Sequence, residues 1–153
     1  MPTTLLRLVC AVVLLLPLGA AAKPDPVTWS AALHERQADG TIVLAVSARI
    51  EKGWYIYGMR QPEDGPAPLR FRGPSGSGVA VGPVRTPLPR VSYDRGFRAR
   101  VGKHYERPSF FVPVRLSRTA SHVEIEVRYQ ACNDDICLPP RTVAVQASLP
   151  VGS

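Results

Sequence analysis

The clearest pattern along the chain is a strict alternation of apolar and polar residues. From Thr41 to Ile50, the residues Ile42, Leu44, Val46, Ala48 and Ile50 share one face, and Thr41, Val43, Ala45, Ser47 and Arg49 share the other. Val123 to Gln130 alternates without a fault: Val123, Ile125, Val127 and Tyr129 point inward, Glu124, Glu126, Arg128 and Gln130 outward. Thr142 to Leu149 repeats the period through Val143, Val145, Ala147 and Leu149. Weaker strand signals cover Val27 to Leu33, Leu69 to Phe71, Val79 to Val84 and Ser109 to Leu116. Trp54-Tyr55-Ile56-Tyr57 follows a turn at Gly53 and should add aromatic bulk to the core or its rim.

Breakers separate these runs, among them Pro62, Gly65-Pro66, Pro68, Gly73-Pro74, Gly82-Pro83, Pro87 and Pro89. With 16 prolines and no sustained 3.6-residue period after Lys23, long helices are excluded. Short strands with turn signals between them predict one all-β domain, an antiparallel sandwich or barrel. Pro87 to His104 is different: long, charged and poor in alternation, it reads as an extended loop.

The first 22 residues read as a leader. Arg7 supplies positive charge, Leu8 to Leu18 is apolar, and Ala20-Ala21-Ala22 offers a small-residue cleavage site before Lys23. An eleven-residue helix would reach only about 16 Å, roughly half a bilayer core. It is therefore a signal peptide at residues 1–22, and residues 23–153 are the expected exported domain. Cys10 leaves with the leader. That leaves 131 of the 153 residues, enough for one core. Losing Arg7 lowers the formal charge from +7 to +6. The arginines are scattered, without the clusters or aromatic interleaving of a nucleic-acid binder, and no nucleic-acid partner is expected.

Chemistry concentrates in Tyr129-Gln130-Ala131-Cys132-Asn133-Asp134-Asp135-Ile136-Cys137-Leu138-Pro139-Pro140. Its two cysteines lie between two strands that read as a hairpin, where opposed positions fall at bridging distance. A loop would leave both sulfurs within reach of another protein. Closing a loop of about six residues gains roughly 2 kcal/mol by chain entropy, a small staple for a domain this size. Thiol exchange needs an accessible sulfur and a resolving partner, and the loop supplies both. Asp134 and Asp135 disfavour a thiolate, and Arg128, Arg141 or a loop arginine could offset them. The residues alone leave redox exchange and a structural disulfide open. A metal site from Cys132 and Cys137 with His104 or His122 has no second cysteine pair or close histidine motif behind it. Gly-Pro-Ser-Gly-Ser-Gly at 73–78 lacks the lysine and helix of a phosphate loop and reads as a turn.

From about Val27 to Leu149 the chain resembles the N-terminal periplasmic domain of the thiol:disulfide interchange protein DsbD. The resemblance is carried by Trp29, by Gly53-Trp54-Tyr55-Ile56-Tyr57-Gly58, by Tyr105 to Val114, and most specifically by Tyr129 to Cys132 with Cys137-Leu138-Pro139-Pro140. It implies an immunoglobulin-like antiparallel β-sandwich whose cysteine pair takes electrons from a membrane-embedded transporter. The pair then reduces periplasmic thioredoxin-fold partners such as disulfide isomerases or cytochrome c maturation proteins. On this resemblance Cys137 forms the mixed disulfide and Cys132 resolves it. A cap loop shields the pair, with Phe97 and Asp94 as the matching residues. The cysteine loop is one residue shorter than in the best-known member, and Tyr-Asp-Arg-Gly-Phe at 93–97 is less acidic than the family pattern. No membrane segment or thioredoxin-like domain follows Ser153, so electrons are expected from separately encoded partners. The resemblance calls for no cofactor and suggests a monomer. The competing reading is a non-catalytic interaction or assembly domain whose disulfide is a staple.

Overall fold

The computed structural model describes residues 25–150, and the leader at 1–22 lies outside the described residues. Eleven strands follow one another: β1 (Val27–Arg36), β2 (Ile42–Ile50), β3 (Tyr55–Tyr57), β4 (Arg70–Arg72), β5 (Val79–Val81), β6 (Arg90–Asp94), β7 (Ala99–His104), β8 (Ser109–Leu116), β9 (His122–Tyr129), β10 (Ala131–Cys132) and β11 (Arg141–Ser148). They form three antiparallel sheets, ordered β1-β2-β8-β5, β11-β9-β4 and β10-β3-β7-β6. Among the described residues no helix is long and apolar enough to cross a membrane.

The first two sheets pack face to face, and alternation decides what lies between them. Leu44, Val46, Phe110, Val112 and Val114 come from one sheet, and Ile125, Val127 and Tyr129 from the other, all nearly or fully buried. Trp29 is packed among Phe71, Phe110 and Tyr129, with ring centroids 6.4, 6.1 and 5.3 Å away. Val43 departs from the pattern. It belongs to the outer face by parity yet is 1% exposed, because β2 lies between β1 and β8, whose Glu35 and Pro113 are its cross-strand partners. The predicted hairpin of β9 and β11 runs from Arg141 opposite Tyr129 to Ser148 opposite His122.

The expected loop from Pro87 to His104 is corrected: it is the hairpin of β6 and β7, with a turn at 95–98. The physical reason is position. β6 is the edge of its sheet, with Arg90, Val91 and Tyr93 exposed, so no apolar face was needed to mark it as a strand. β7 pairs with β3, Ile56 opposite His104 and Tyr57 opposite Lys103. This third sheet closes one end of the sandwich around a second small core of Tyr55, Tyr57, Val101 and Cys132, against which Phe97, Ala99 and Tyr105 pack.

Candidate functional site

The site forms where the chain changes sheets. After Tyr129, residues Ala131 and Cys132 leave the β9–β11 pair and align with Ile56 and Tyr55 of β3. What the sequence reads as pure loop therefore begins with a strand, and Cys132 is 0% exposed within the second core. Asn133 makes the turn: its Oδ1 accepts the N–H groups of Asp135 and Ile136 at 2.9 and 2.8 Å, an Asx turn. Cys137 returns opposite Cys132, the two Cα atoms lie 4.1 Å apart, and the sulfurs are bonded as a disulfide. Gln130 braces the exit, its Nε2 donating to the Leu138 carbonyl at 3.3 Å and its Oε1 accepting the Ala67 N–H at 2.9 Å.

The expectation that both sulfurs stand open is corrected. Cys137 is exposed and Cys132 is not. The asymmetry follows from pairing: β10 inserts Cys132 into a sheet, whereas Cys137 touches the sheet only through one isolated bridge.

Tyr55 and Tyr57 flank Ile56, and strand parity puts both rings on the side of the cysteines. The Tyr57 hydroxyl lies 3.9 Å from Cys137 Sγ and donates to Asp94 Oδ2 at 3.0 Å. Asp94 ends β6, with its side chain 9% exposed, and takes Lys103 Nζ on the same oxygen at 2.9 Å. Its Oδ1 accepts the N–H groups of Gly96 and Phe97 at 3.0 and 3.3 Å, which shapes the hairpin turn. That turn sets Phe97 edge-on against Tyr57, ring centroids 5.9 Å apart. Asp94 and Phe97 are thus both at the site, on a hairpin rather than a free loop, with Phe97 reaching the disulfide through Tyr57 and the core that holds Cys132.

Burial alone would push the Asp94 carboxyl up, but hydrogen bonds from Lys103, Tyr57 and the Phe97 N–H outweigh it and hold it below 3.8. Burial likewise pulls Lys103 down, and its bond to Asp94 and its neighbour Tyr55 more than reverse this. Lys103 Nζ also sits 4.1 Å from the Tyr55 ring centroid. Burial, then Tyr55 and Asp94, push the Tyr57 phenol well above its ordinary 10.0, so it keeps its proton. A cleft of about 500 Å³ opens beside these groups, lined among others by Tyr93, Asp134, Asp135, Ile136 and Cys137. On the other flank of the cysteine loop lies a more apolar groove of about 550 Å³, walled by Trp54, Ile136, Leu138 and Pro139.

The histidines weighed as metal ligands lie elsewhere. His104 is buried against Phe110, ring centroids 5.2 Å apart, and burial lowers its pKa. His122 opens β9 on the surface. Among the described residues no group of three or more His, Cys, Asp or Glu side chains could hold a metal ion. Of the basic residues considered near the thiols, Arg141 is paired with Asp25 at 2.8 Å. Sequence reasoning missed Tyr57 as the sulfur's neighbour and Lys103 altogether. Parity could have grouped the two tyrosines. Nothing local reveals that Lys103 faces Tyr57 across a strand pair.

Comparison with known proteins agrees with this architecture. The family model described as "Thiol:disulfide interchange protein DsbD, N-terminal" matches residues 22–149. The chain belongs to this family. A solved relative is the DsbD N-terminal domain of Neisseria meningitidis in its reduced form, 15% identical, with a TM-score of 0.59 over 80% of this chain and 85% of that one. Another is the N-terminal periplasmic domain of ScsB from Proteus mirabilis, 14% identical, TM-score 0.50, covering 78% of this chain and 44% of that one. These likenesses identify the fold as the immunoglobulin-like sandwich of DsbD N-terminal domains. No curated protein sequence matches the chain.

Proposed function

We propose that the domain is a periplasmic thiol–disulfide exchange module, relaying electrons through Cys132 and Cys137. A membrane electron transporter or a thioredoxin-like donor supplies them, and disulfide-bearing thioredoxin-fold proteins receive them. The observation that supports this best is the asymmetry of the pair: one exposed cysteine to meet a partner, and one buried cysteine, its Cα 4.1 Å away, to resolve the intermediate. Membership of the DsbD N-terminal family points the same way. The neighbouring Neisseria domain was obtained reduced, so a pair of this kind exists without its disulfide in that protein.

The exchange balances as follows. In the reduced domain the Cys137 thiolate attacks one sulfur of a partner disulfide, forming a Cys137–partner bond and expelling the partner's other sulfur as a thiolate. The Cys132 thiolate then attacks Cys137 Sγ, closing the internal disulfide and releasing the second partner thiolate. Two electrons pass to the partner, and the two thiol protons of the domain end on the partner's cysteines. Phe97 and its hairpin cover Tyr57 and the small core that holds Cys132, and a docking partner displaces them.

The test is covalent capture. Cys132→Ser should trap a thioredoxin-fold partner through Cys137 as a reducible adduct, whereas Cys137→Ser should trap none. If neither variant captures a partner from periplasmic extract, and the pair's potential lies below about −300 mV, the disulfide is a staple and the exchange reading fails.

A further inference from the structure

Lys103 is the oddest residue of the site. Its residue exposure is 8%, in a chain whose other basic residues are mostly at the surface. A buried ion pair adds little stability over an apolar pair of the same volume, so stability alone does not explain it. Its bonding is directional. Nζ meets the same Asp94 oxygen, Oδ2, that takes the Tyr57 hydroxyl proton, and the Tyr57 oxygen lies 3.9 Å from Cys137 Sγ. A phenol has one proton to give. With that proton directed at Asp94, the tyrosine turns only lone pairs toward the sulfur. Lone pairs accept from an S–H and repel an S⁻.

We propose that Lys103 is a positioning residue of the exchange chemistry: by keeping buried Asp94 ionised, it draws the Tyr57 proton away from Cys137 and keeps the reduced Cys137 a thiol. The inference rests on the exchange reading for its purpose, though not for its test. The charged and titratable groups around Cys137 are Asp94 and Tyr93 from β6, Arg95 from the turn, Lys103 from β7, Tyr55 and Tyr57 from β3, and Asp134 and Asp135 from its own loop. Asp134 and Asp135 are exposed and water screens them, whereas the Lys103–Asp94–Tyr57 chain is enclosed. The enclosed chain is therefore the stronger influence. It gives a resting reduced domain that reacts slowly with stray disulfides, with reactivity restored when a partner shifts the hairpin that carries Asp94.

The experiment follows alkylation of Cys137 against pH in the reduced full chain, read at the Cys137 peptide by mass spectrometry. Asp94→Asn should retain the bonds to the turn but give up the negative charge, leave the Lys103 cation unopposed and free the Tyr57 proton to face the sulfur. The Cys137 midpoint should fall by about one pK unit. At pH 7 this means about tenfold more thiolate and, after the accompanying loss of nucleophilicity, alkylation about three- to fourfold faster. Lys103→Met alone leaves Asp94 buried without its cation, so Asp94 should take up a proton, release the Tyr57 proton toward the sulfur and lower the Cys137 midpoint in the same direction. A midpoint that rises or stays unchanged in Lys103→Met would show that Lys103 does not act through Asp94 and overturn the proposal. Should Lys103→Met not fold, the neutral double variant Asp94→Asn, Lys103→Met carries the test against the native chain, and an unchanged midpoint overturns it. Capture of partners by Cys132→Ser is scored separately. A failed capture with shifted midpoints sinks the relay and spares Lys103, and the reverse result sinks Lys103 alone.

Discussion

Reducing the Cys132–Cys137 disulfide tests the relay at the level of stability. The two cysteines are separated by 5 positions in sequence, so the bond closes a very short loop. The chain-entropy relation gives about 2 kcal/mol for a loop of this length. For a domain of this size that is a fall in melting temperature of about 8 °C. By linkage, folding lowers the potential of the pair by no more than about 45 mV relative to the unfolded chain, since 30 mV corresponds to about 1.4 kcal/mol for two electrons. A relay needs this small value, because it must stay folded in both states. Urea unfolding of the oxidised and reduced protein gives the first number, and equilibration with glutathione or dithiothreitol buffers gives the potential. The expected outcome is a folded reduced domain and a potential between about −180 and −270 mV. A reduced chain that is unfolded without urea, or one that loses more than about 5 kcal/mol, would refute the reasoning and make the disulfide a structural requirement.

Phe97→Ala removes the ring packed on Tyr57, a contact of about 0.5–1.5 kcal/mol beyond its area, so the hairpin should open more often and alkylation of the reduced cysteines should speed up roughly two- to tenfold. An unchanged rate would mean that Phe97 covers nothing. Asp94 is held below its ordinary 3.8 in the fold, so its stabilising contribution is complete above pH 3.8 and is lost as the pH falls through the lower folded value. Lys103, raised above 10.5, acts in the opposite sense: its contribution is complete below 10.5 and is lost as the pH rises past that value. Denaturant midpoints against pH should show both limbs, and the double variant Asp94→Asn, Lys103→Met should flatten both. Ile125→Ala, at 0% exposure in the main core, should cost about 2–5 kcal/mol in urea unfolding while leaving the potential of the cysteine pair unchanged.

The main sandwich was legible because its strands bury one face only. Val123, Ile125, Val127 and Tyr129 are buried, and the residues between them are not. Ser109–Leu116 likewise has the bounds that its pattern predicts. The hairpin from Arg90 to His104 was not legible. Its first strand is an edge, and its second buries Val101, Gly102, Lys103 and His104 in succession, so neither shows a two-residue period. The same limit applies at the site. The cysteines and their loop are local and visible in sequence, whereas the burial of Cys132 depends on its alignment with Tyr55 of β3, far away along the chain. Lys103 was invisible for the same reason.

Two similar constructions flank the cysteine loop on opposite sides. On one, Tyr57 donates to Asp94, which is paired with Lys103. On the other, Tyr129 donates to Asp25 at 2.5 Å, and Asp25 is paired with Arg141 at 2.8 Å. Tyr129 ends the strand that leads into the loop, and Arg141 begins the strand that leaves it. Gln130 and Asn133 fasten the turn between them. None of these bonds passes through sulfur. A loop fastened at its entrance, turn and exit keeps its path when the disulfide opens, so Cys132 stays in place to resolve whatever bond Cys137 makes. The two ends differ in one respect. Arg141 is half exposed and Lys103 is buried, with side-chain exposures of 52% and 9%. An exposed pair holds a chain end at little cost, whereas an enclosed one also acts on the charge of its neighbours. The enclosed pair is the one whose tyrosine faces Cys137.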